Sequence, residues 1–404
     1  MRVAAGRYTA PSLYMPQQTP PETPLAAVTH PNPYPYYAAL VQKRPLYRDE
    51  AVGAWVATSA AAVTAVLTSE AVRVRPAAEP APPALGDSAA AFLFRRLVRM
   101  TDGAAHPPLK NALLRTLGLL QEGGLLSQAR ASAEAVAEKT LEPATPQGLE
   151  AFSFGLSLHV LSSLLGLPER HLEAMQKATE AYLLGLVPSP SPECLLHGAA
   201  GAEVLLGLTR KARAAAPPSA FLGHFLKEAQ KEGVTEDDVL TANAAGLLTQ
   251  AYEGTAGLLG NTVLALGTRP ELVSALRSAP EGLWEVLREV LRYDAPVQNT
   301  RRTLAREVRL CGQRLQAGDT VLVVLAAANR DPEANAAPDA FQPSRAARRT
   351  FTFGLGAHLC PGQALSLALA RAGVEQLLQR GLDFSAFLAV GYRPSLNVRV
   401  PRFF

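Results

Sequence analysis

The spacing of apolar residues is helical along most of the chain and alternates only in short segments. Residues 106–266 carry an apolar side chain at most third or fourth positions, with breaks where prolines cluster. Further helices are predicted at 60–67, 282–293 and 361–380. The pattern therefore predicts a protein that is mainly α-helical.

The longest predicted helix starts at Thr235, where the run Thr-Glu-Asp-Asp is typical of a capping box. It extends to Leu266, and Gly267 and Pro270 end it. A helix of roughly 30 residues is about 45 Å long. We therefore expect it to cross the whole domain.

Short strand-like segments add a small β portion and come from both ends of the chain. They are predicted at 55–58, 299–310, 320–326 and 395–400. Residues 1–35 are rich in Pro and Thr, so we expect an extended leader lying on the surface. Residues 36–404 are then expected to form a single domain.

Composition narrows the class of protein. The chain has 404 residues, 48% of them hydrophobic and 18% charged, which is enough to build a large core. A net charge of +4 without dense Lys/Arg tracts gives no reason to expect nucleic acid as a partner. Three scattered cysteines, no signal peptide and no apolar run of about 20 residues predict a cytoplasmic protein that does not enter the membrane.

The strongest chemical signal is the run Phe-Gly-Leu-Gly-Ala-His-Leu-Cys-Pro-Gly at 353–362. Two glycines allow a tight loop that can approach a flat ligand closely. Cys360 is expected at the N-terminus of the next helix, with Pro361 as the first helical residue. The helix dipole would lower the pKa of the thiol and favour a thiolate, which on iron promotes O–O cleavage. A zinc site is not expected, because His358 and Cys360 have no second ligand pair nearby.

This run resembles the cysteine loop of the cytochrome P-450 family, and in particular its soluble bacterial members. The resemblance extends from residue 32 to residue 396. Glu289 and Arg292 match the family's Glu-x-x-Arg helix, and 341–345 matches the segment that brings Arg345 to that pair. The resemblance implies a triangular prism of helices around a buried haem b, with Cys360 as the axial ligand of iron.

The family pattern also implies residues that hold the haem. Cations and imidazoles at the rim of the pocket would bind the two propionates. His106 and Lys110, four residues apart on one helix, are two such positions, and Thr350 or Arg349 stands where another is usual. The full set of expected haem-binding residues is His106, Lys110, Arg302, Phe353, His358, Cys360 and Gly362, with Cys360 as the metal ligand.

The central helix departs from the family on the side where oxygen would bind. Glu253 occupies the acid position of the family's acid–alcohol pair, but Gly254 stands where the alcohol is expected. Thr255 is rotated by about 100°, so it could replace the alcohol only if the helix were locally widened. Three alternatives are open: substrate or water completes the proton relay of a monooxygenase, the enzyme couples substrates oxidatively, or it uses peroxide.

The resemblance also implies partners. The substrate is expected to be a small, largely apolar molecule with one polar handle. Without a flavin or nucleotide motif, electrons would come from a separate ferredoxin and ferredoxin reductase, docking on Arg345, Arg348 and Arg349. We expect a monomeric monooxygenase that uses O2 and acts in secondary metabolism. A haem-based sensor without turnover is the competing class.

Overall fold

A computed structural model describes residues 19–122, 124–187 and 189–404. Helices dominate it, as the apolar spacing predicts. In chain order they are α1 (Tyr34–Lys43), α2 (Ala60–Thr68), α3 (Ala89–Arg96), α4 (His106–Glu122), α5 (Leu125–Thr140), α6 (Pro146–Leu164), α7 (Leu172–Leu184), α8 (Pro192–Ala215), α9 (Phe221–Lys231), α10 (Asp237–Gly267), α11 (Pro270–Ser278), α12 (Leu283–Tyr293), α13 (Leu325–Asn329) and α14 (Gln363–Gln379).

The β portion lies beside the helices and combines distant parts of the chain. Its strands are β1 (Leu46–Asp49), β2 (Ala54–Ala57), β3 (Val72–Arg73), β4 (Thr300–Leu304), β5 (Val308–Leu310), β6 (Gln313–Leu315), β7 (Thr320–Val323), β8 (Val390–Tyr392) and β9 (Pro401–Phe403). The largest sheet has the order β1-β2-β7-β4-β3, in which only β2 and β7 pair in parallel. Strands β5–β6 and β8–β9 form two hairpins.

Helix α10 is the centre of the fold, because it is apolar on nearly all sides and is packed by α6, α14, α3 and α8. Small residues permit this close packing. A Cβ atom at Gly257 would lie 2.9 Å from the carbonyl oxygen of Arg399, and one at Gly260 would lie 3.0 Å from Pro401. The helix begins at Asp237 without a side-chain cap, so the capping box predicted at Thr235 is wrong. Two acidic residues in the first turn complement the helix dipole instead.

The described part of the predicted leader packs into the protein. Ala27 and Val28 are fully buried in a short 3-10 helix, and α1 already begins at Tyr34. The buried guanidinium of Arg399 holds this segment, since it donates to the carbonyl oxygens of Val28, His30 and Pro31. A surface leader is therefore the wrong description of residues 19–35. Residues 1–18 of that prediction lie outside the described part of the chain.

Two predicted element boundaries also need correction. The last strand lies at Pro401–Phe403, whereas 395–400 contributes only an isolated bridge between Val398 and Val297. Helix α14 begins at Gln363, two residues after Pro361. Within the described residues, no helix has both the length and the apolar character needed to cross a membrane.

Candidate active site

The loop that carries Cys360 is closed by its own backbone. The amide of Cys360 donates to the carbonyl of Phe353 at 2.8 Å, which folds the run back on itself. Gly354 and Gly356 both have positive φ angles, +74° and +68°. A Cβ atom at Gly356 would also lie 2.8 Å from the carbonyl oxygen of Leu67. The second glycine therefore serves both the turn and the close approach to α2.

Cys360 lies just before α14 and not on its first turn. Gly362 caps the helix, and its backbone amide hydrogen-bonds the sulfur. Burial raises the pKa of the Cys360 thiol, and the Gly362 amide and the charge of Lys110 only partly oppose this. The expected lowering of the pKa by the helix N-terminus is therefore wrong, because burial dominates. A buried thiol of this kind becomes a thiolate when a metal ion binds it.

Two imidazoles and an amine surround the cysteine. The rings of His106 and His358 lie 4.2 Å apart, and Lys110 donates to the carbonyl of Leu359, next to the cysteine. Burial, together with the charges of His358 and Lys110, lowers the pKa of His106 to about 4. The structure thus brings together three of the residues that the family pattern assigned to the propionates.

Arg302 completes this rim from strand β4, and an acid that the sequence did not reveal joins it. Asp102 accepts from Nε2 of His358 at 3.2 Å and from the amide of Val74 at 3.0 Å. Arg302 is buried and donates to the Thr300 hydroxyl and a backbone carbonyl. Burial lowers the pKa of Arg302, and the nearby Asp102 opposes this change.

This rim fits the two propionates of a haem. Among the residues that the structure describes, neither Lys110 nor Arg302 has a carboxylate within ion-pair distance, although both are largely buried. Buried cations of this kind are stabilised by carboxylates that a ligand brings. A flat group with two carboxylates, bound above Cys360, would therefore be held by its metal at the sulfur and by its carboxylates at the rim.

The facing part of α10 carries Glu253, Gly254 and Thr255. Burial raises the pKa of Glu253, against the opposing charge of Arg393, in agreement with the expectation for a buried acid. A Cβ atom at Gly254 would meet nothing within 4 Å, so this position faces open space. The helix is regular α from Asp237 to Gly267, and the local widening that would turn Thr255 toward that space is absent there. The Thr255 hydroxyl is buried without a hydrogen-bond partner among the described residues.

Glu289 lies in a buried cluster of arginines beneath the cysteine loop. Its carboxylate contacts Arg292 at 2.7 Å, Arg348 at 3.0 Å and Arg345 at 3.5 Å. The backbone amide of Gln342 also donates to it at 2.9 Å. The predicted role of Arg345 at the Glu289–Arg292 pair is confirmed, and Arg348 is a third partner that the family pattern did not indicate.

The same contacts correct the predicted ferredoxin patch. The side chains of Arg345 and Arg348 are only 6% and 9% exposed, because Glu289 draws both inward. Arg349 remains exposed and donates to the Thr64 hydroxyl. Two of the three arginines therefore hold the fold together and cannot form a docking surface. Thr350, the other residue considered for the haem rim, contacts Asn329 instead.

Comparisons with known proteins agree with this site. The family model described as cytochrome P-450 matches residues 283–382, which include the Glu289 cluster and the cysteine loop. The biotin biosynthesis cytochrome P-450 of Bacillus subtilis is 30% identical over 61% of this chain and 64% of its own length, just under two thirds. The 20-oxo-5-O-mycaminosyltylactone 23-monooxygenase of Streptomyces fradiae is 28% identical over 88% of this chain and 84% of its own length.

Solved structures show the same architecture. The crystal structure of CalO2 superposes with a TM-score of 0.80 at 25% identity and covers 92% of this chain and 94% of its own. A structure of P-450BioI with an acyl carrier protein ligated to hexadec-9Z-enoic acid gives 0.79 at 23% identity, with 92% and 96% coverage. The fold is that of the cytochrome P-450 structures, and the cysteine loop lies within the matched residues 283–382. In its fold, in residues 283–382 and in these relatives, the chain is similar to the cytochrome P-450 family.

Proposed function

We propose that this chain is a haem-thiolate monooxygenase that oxidises a small, largely apolar molecule at the face of α10. The observation that carries the proposal is the convergence of Lys110, His106 and His358 beside Cys360. The family pattern places the open position at Gly254 on the opposite side of the haem. A relative named as a monooxygenase supports the same reaction class.

Each residue has a distinct part in this proposal. Cys360 would hold the haem iron through its sulfur, and Phe353 and Gly362 would shape its loop. His106, Lys110, Arg302 and His358 would hold the propionates. When haem is bound, its thiolate-ligated iron supplies the activation of dioxygen. Glu253, whose pKa burial raises, is suited to hold a proton and pass it to this side of the pocket. Since neither Gly254 nor Thr255 can present a hydroxyl, a substrate hydroxyl or a water would complete the relay.

The proposal also covers the cofactor, the co-substrate and the source of electrons. We propose haem b as the cofactor, O2 as co-substrate, and a separate ferredoxin with its reductase as the source of electrons. The protein would act as a cytoplasmic monomer. Because Gly254 has no hydroxyl, the second candidate function is oxidative coupling or peroxide-driven oxidation. Neither reaction depends on the usual acid–alcohol pair in the same way.

The absorption spectrum of the reduced protein with CO tests ligation. We expect the red-shifted band of thiolate ligation in the wild type and in a C194S control, and its complete loss in C360S. A band typical of histidine ligation in the wild type would refute Cys360 as the ligand. Product formation from NADPH through surrogate ferredoxin and reductase then separates an enzyme from a sensor, since a sensor forms no product under these conditions.

A further inference from the structure

Residues 97–101 run from α3 to α4 and are fixed against α10. The amide of Val98 donates to Oδ1 of Asn243 at 2.7 Å, and Leu97 packs so closely that a Cβ atom at Gly246 would lie 2.5 Å from it. The Gln250 amide would lie 2.7 Å from the same Cβ atom. The backbone that carries Arg99 is therefore held one turn of α10 from Gln250 and two turns from Gly254.

Arg99 is surrounded by protein, yet its side chain keeps a large accessible surface. It thus faces an internal space and not packed atoms. Among the described residues it has no hydrogen bond to a side chain or carbonyl and no carboxylate within 4 Å. Burial lowers the pKa of the guanidinium, which reflects the cost of a cation in this place.

Two fully buried arginines, Arg292 and Arg399, show what Arg99 lacks. The Arg292 guanidinium contacts Glu289 and three backbone carbonyls. The Arg399 guanidinium contacts Asp294 and three carbonyls. A guanidinium that lacks a protein partner in an accessible internal space is available to an anionic ligand.

Polar groups that are not needed for the fold lie around Arg99. Tyr182 of α7 is the titratable group whose charge would interact with Arg99, and its buried hydroxyl has no hydrogen-bond partner among the described residues. Gln250 is exposed although it lies in the middle of the most buried helix, so it faces the interior space as well. Its amide nitrogen donates to the Gly246 carbonyl, which leaves its oxygen free for a ligand.

The haem propionates are the rival anions for Arg99. The charges that act on His106, Lys110 and Arg302 come from one another, from His358, Asp102 and Cys360, and none comes from Arg99. Arg99 therefore lies apart from the rim, toward α7. This position favours an anion on the molecule that occupies the space in front of Gly254.

We infer that Arg99 is an anion-binding residue of the substrate pocket, and that the substrate is an apolar molecule with a carboxylate group bound by the Arg99 guanidinium. Tyr182 would orient the guanidinium from behind, and Gln250 would contact the ligand from α10. Because a guanidinium binds both oxygens of a carboxylate, the acid would be held in one orientation under α10. This inference rests on the proposed function of the site and names its substrate class.

Binding to the haem-loaded protein tests the inference. Decanoate and 4-butylbenzoate are compared with their methyl esters by calorimetry and by the shift of the haem absorption, in wild type, R99Q and R99K. The matched control is R95Q, which removes a cation from the neighbouring helix α3, where Arg95 lies over Phe92. We expect each acid to bind the wild type and R95Q about tenfold or more tightly than its ester, and R99Q to lose this preference. R99K keeps the charge but not the two parallel N–H donors of the guanidinium, so it should retain part of the preference for the acid.

Three results would overturn the inference: no preference for the acid in the wild type, an equal loss of acid and ester binding in R99Q, or a lowered haem content in R99Q with the acid preference intact. The last would assign Arg99 to a propionate. If R99Q does not fold, the acid-to-ester ratio of R99K decides, since an unchanged ratio contradicts bidentate binding. Calorimetry reads binding without turnover. A thiolate CO band without acid preference therefore refutes only this inference, and acid preference without that band refutes only the proposed function.

Discussion

The two sides of the pocket differ in how completely their polar groups are satisfied. On the sulfur side, the Cys360 loop is closed by backbone hydrogen bonds, and Glu289 beneath it is matched by three arginines and an amide. On the α10 side, a Cβ atom at Gly254 would meet nothing within 4 Å, and within the described chain neither the Thr255 hydroxyl nor the Arg99 guanidinium has a partner. Beneath the cysteine loop the protein supplies its own polar partners, whereas the rim at Lys110 and Arg302 and the α10 side are left for ligands to complete.

The two sides of the pocket therefore have different roles. Buried groups that are fully partnered fix a single geometry, which a cysteine beneath a planar cofactor requires. Groups that lack partners cost stability and are kept where a substrate, water or cofactor pairs with them. Substitutions in the Glu289 cluster should therefore destabilise the fold. Substitutions on the α10 side should alter the reaction or its pH dependence while the fold persists.

The largest effect is expected at Glu289. The substitution E289Q removes the charge that three buried arginines share, so we expect a loss of about 3–5 kcal/mol in the free energy of unfolding, or failure to fold. Urea denaturation and soluble yield measure it. E173Q on α7 is the control, because Glu173 and Lys177 form an exposed pair and a surface pair contributes about 1 kcal/mol or less. Equal stability of the two variants would contradict the distinction between the sides.

The sequence was a good guide where the decisive residues are close together in the chain. The cysteine loop lies within ten residues, Glu289 and Arg292 are three apart on one helix, and the position of Gly254 follows from its neighbours in α10. Local patterns of this kind fix geometry through the helix repeat and the turn. The helical fold and the loop of Cys360 were predictable for this reason.

Contacts between distant residues were not predictable. His358 and Asp102 are 256 positions apart, and no local pattern marks Asp102 as a partner. Arg348 was mistaken for a surface residue because its charge alone does not reveal that Glu289, 59 positions away, binds it. The pKa of Cys360 was predicted in the wrong direction, because proximity to a helix can be read from the sequence but the extent of burial cannot.

A smaller effect is expected from restoring the hydroxyl on the α10 side. A Cβ atom at Gly254 would meet nothing within 4 Å, so we expect G254T to fold. If the wild type relies on substrate or water to relay protons, one added hydrogen bond of about 1 kcal/mol should raise the ratio of oxidised product to hydrogen peroxide about fivefold. The matched control is G254A, which adds the Cβ without the hydroxyl. An unchanged ratio in G254T would show that the relay is already complete or not used.

The smallest effect is expected from Glu253, whose pKa burial raises above its ordinary value of 4.5. An acid with a raised pKa in the folded state favours folding at low pH, and this contribution is lost as the pH rises from 4.5 through the folded value. The substitution E253Q removes the cost of ionising the buried carboxyl. The difference in Tm between E253Q and the wild type should therefore be smallest near pH 4.5 and grow in favour of E253Q toward pH 8. In the exposed control E138Q on α5, the difference should stay flat. A flat difference for E253Q as well would mean that Glu253 is solvated like a surface acid, and the α10 side would lose its proposed proton donor.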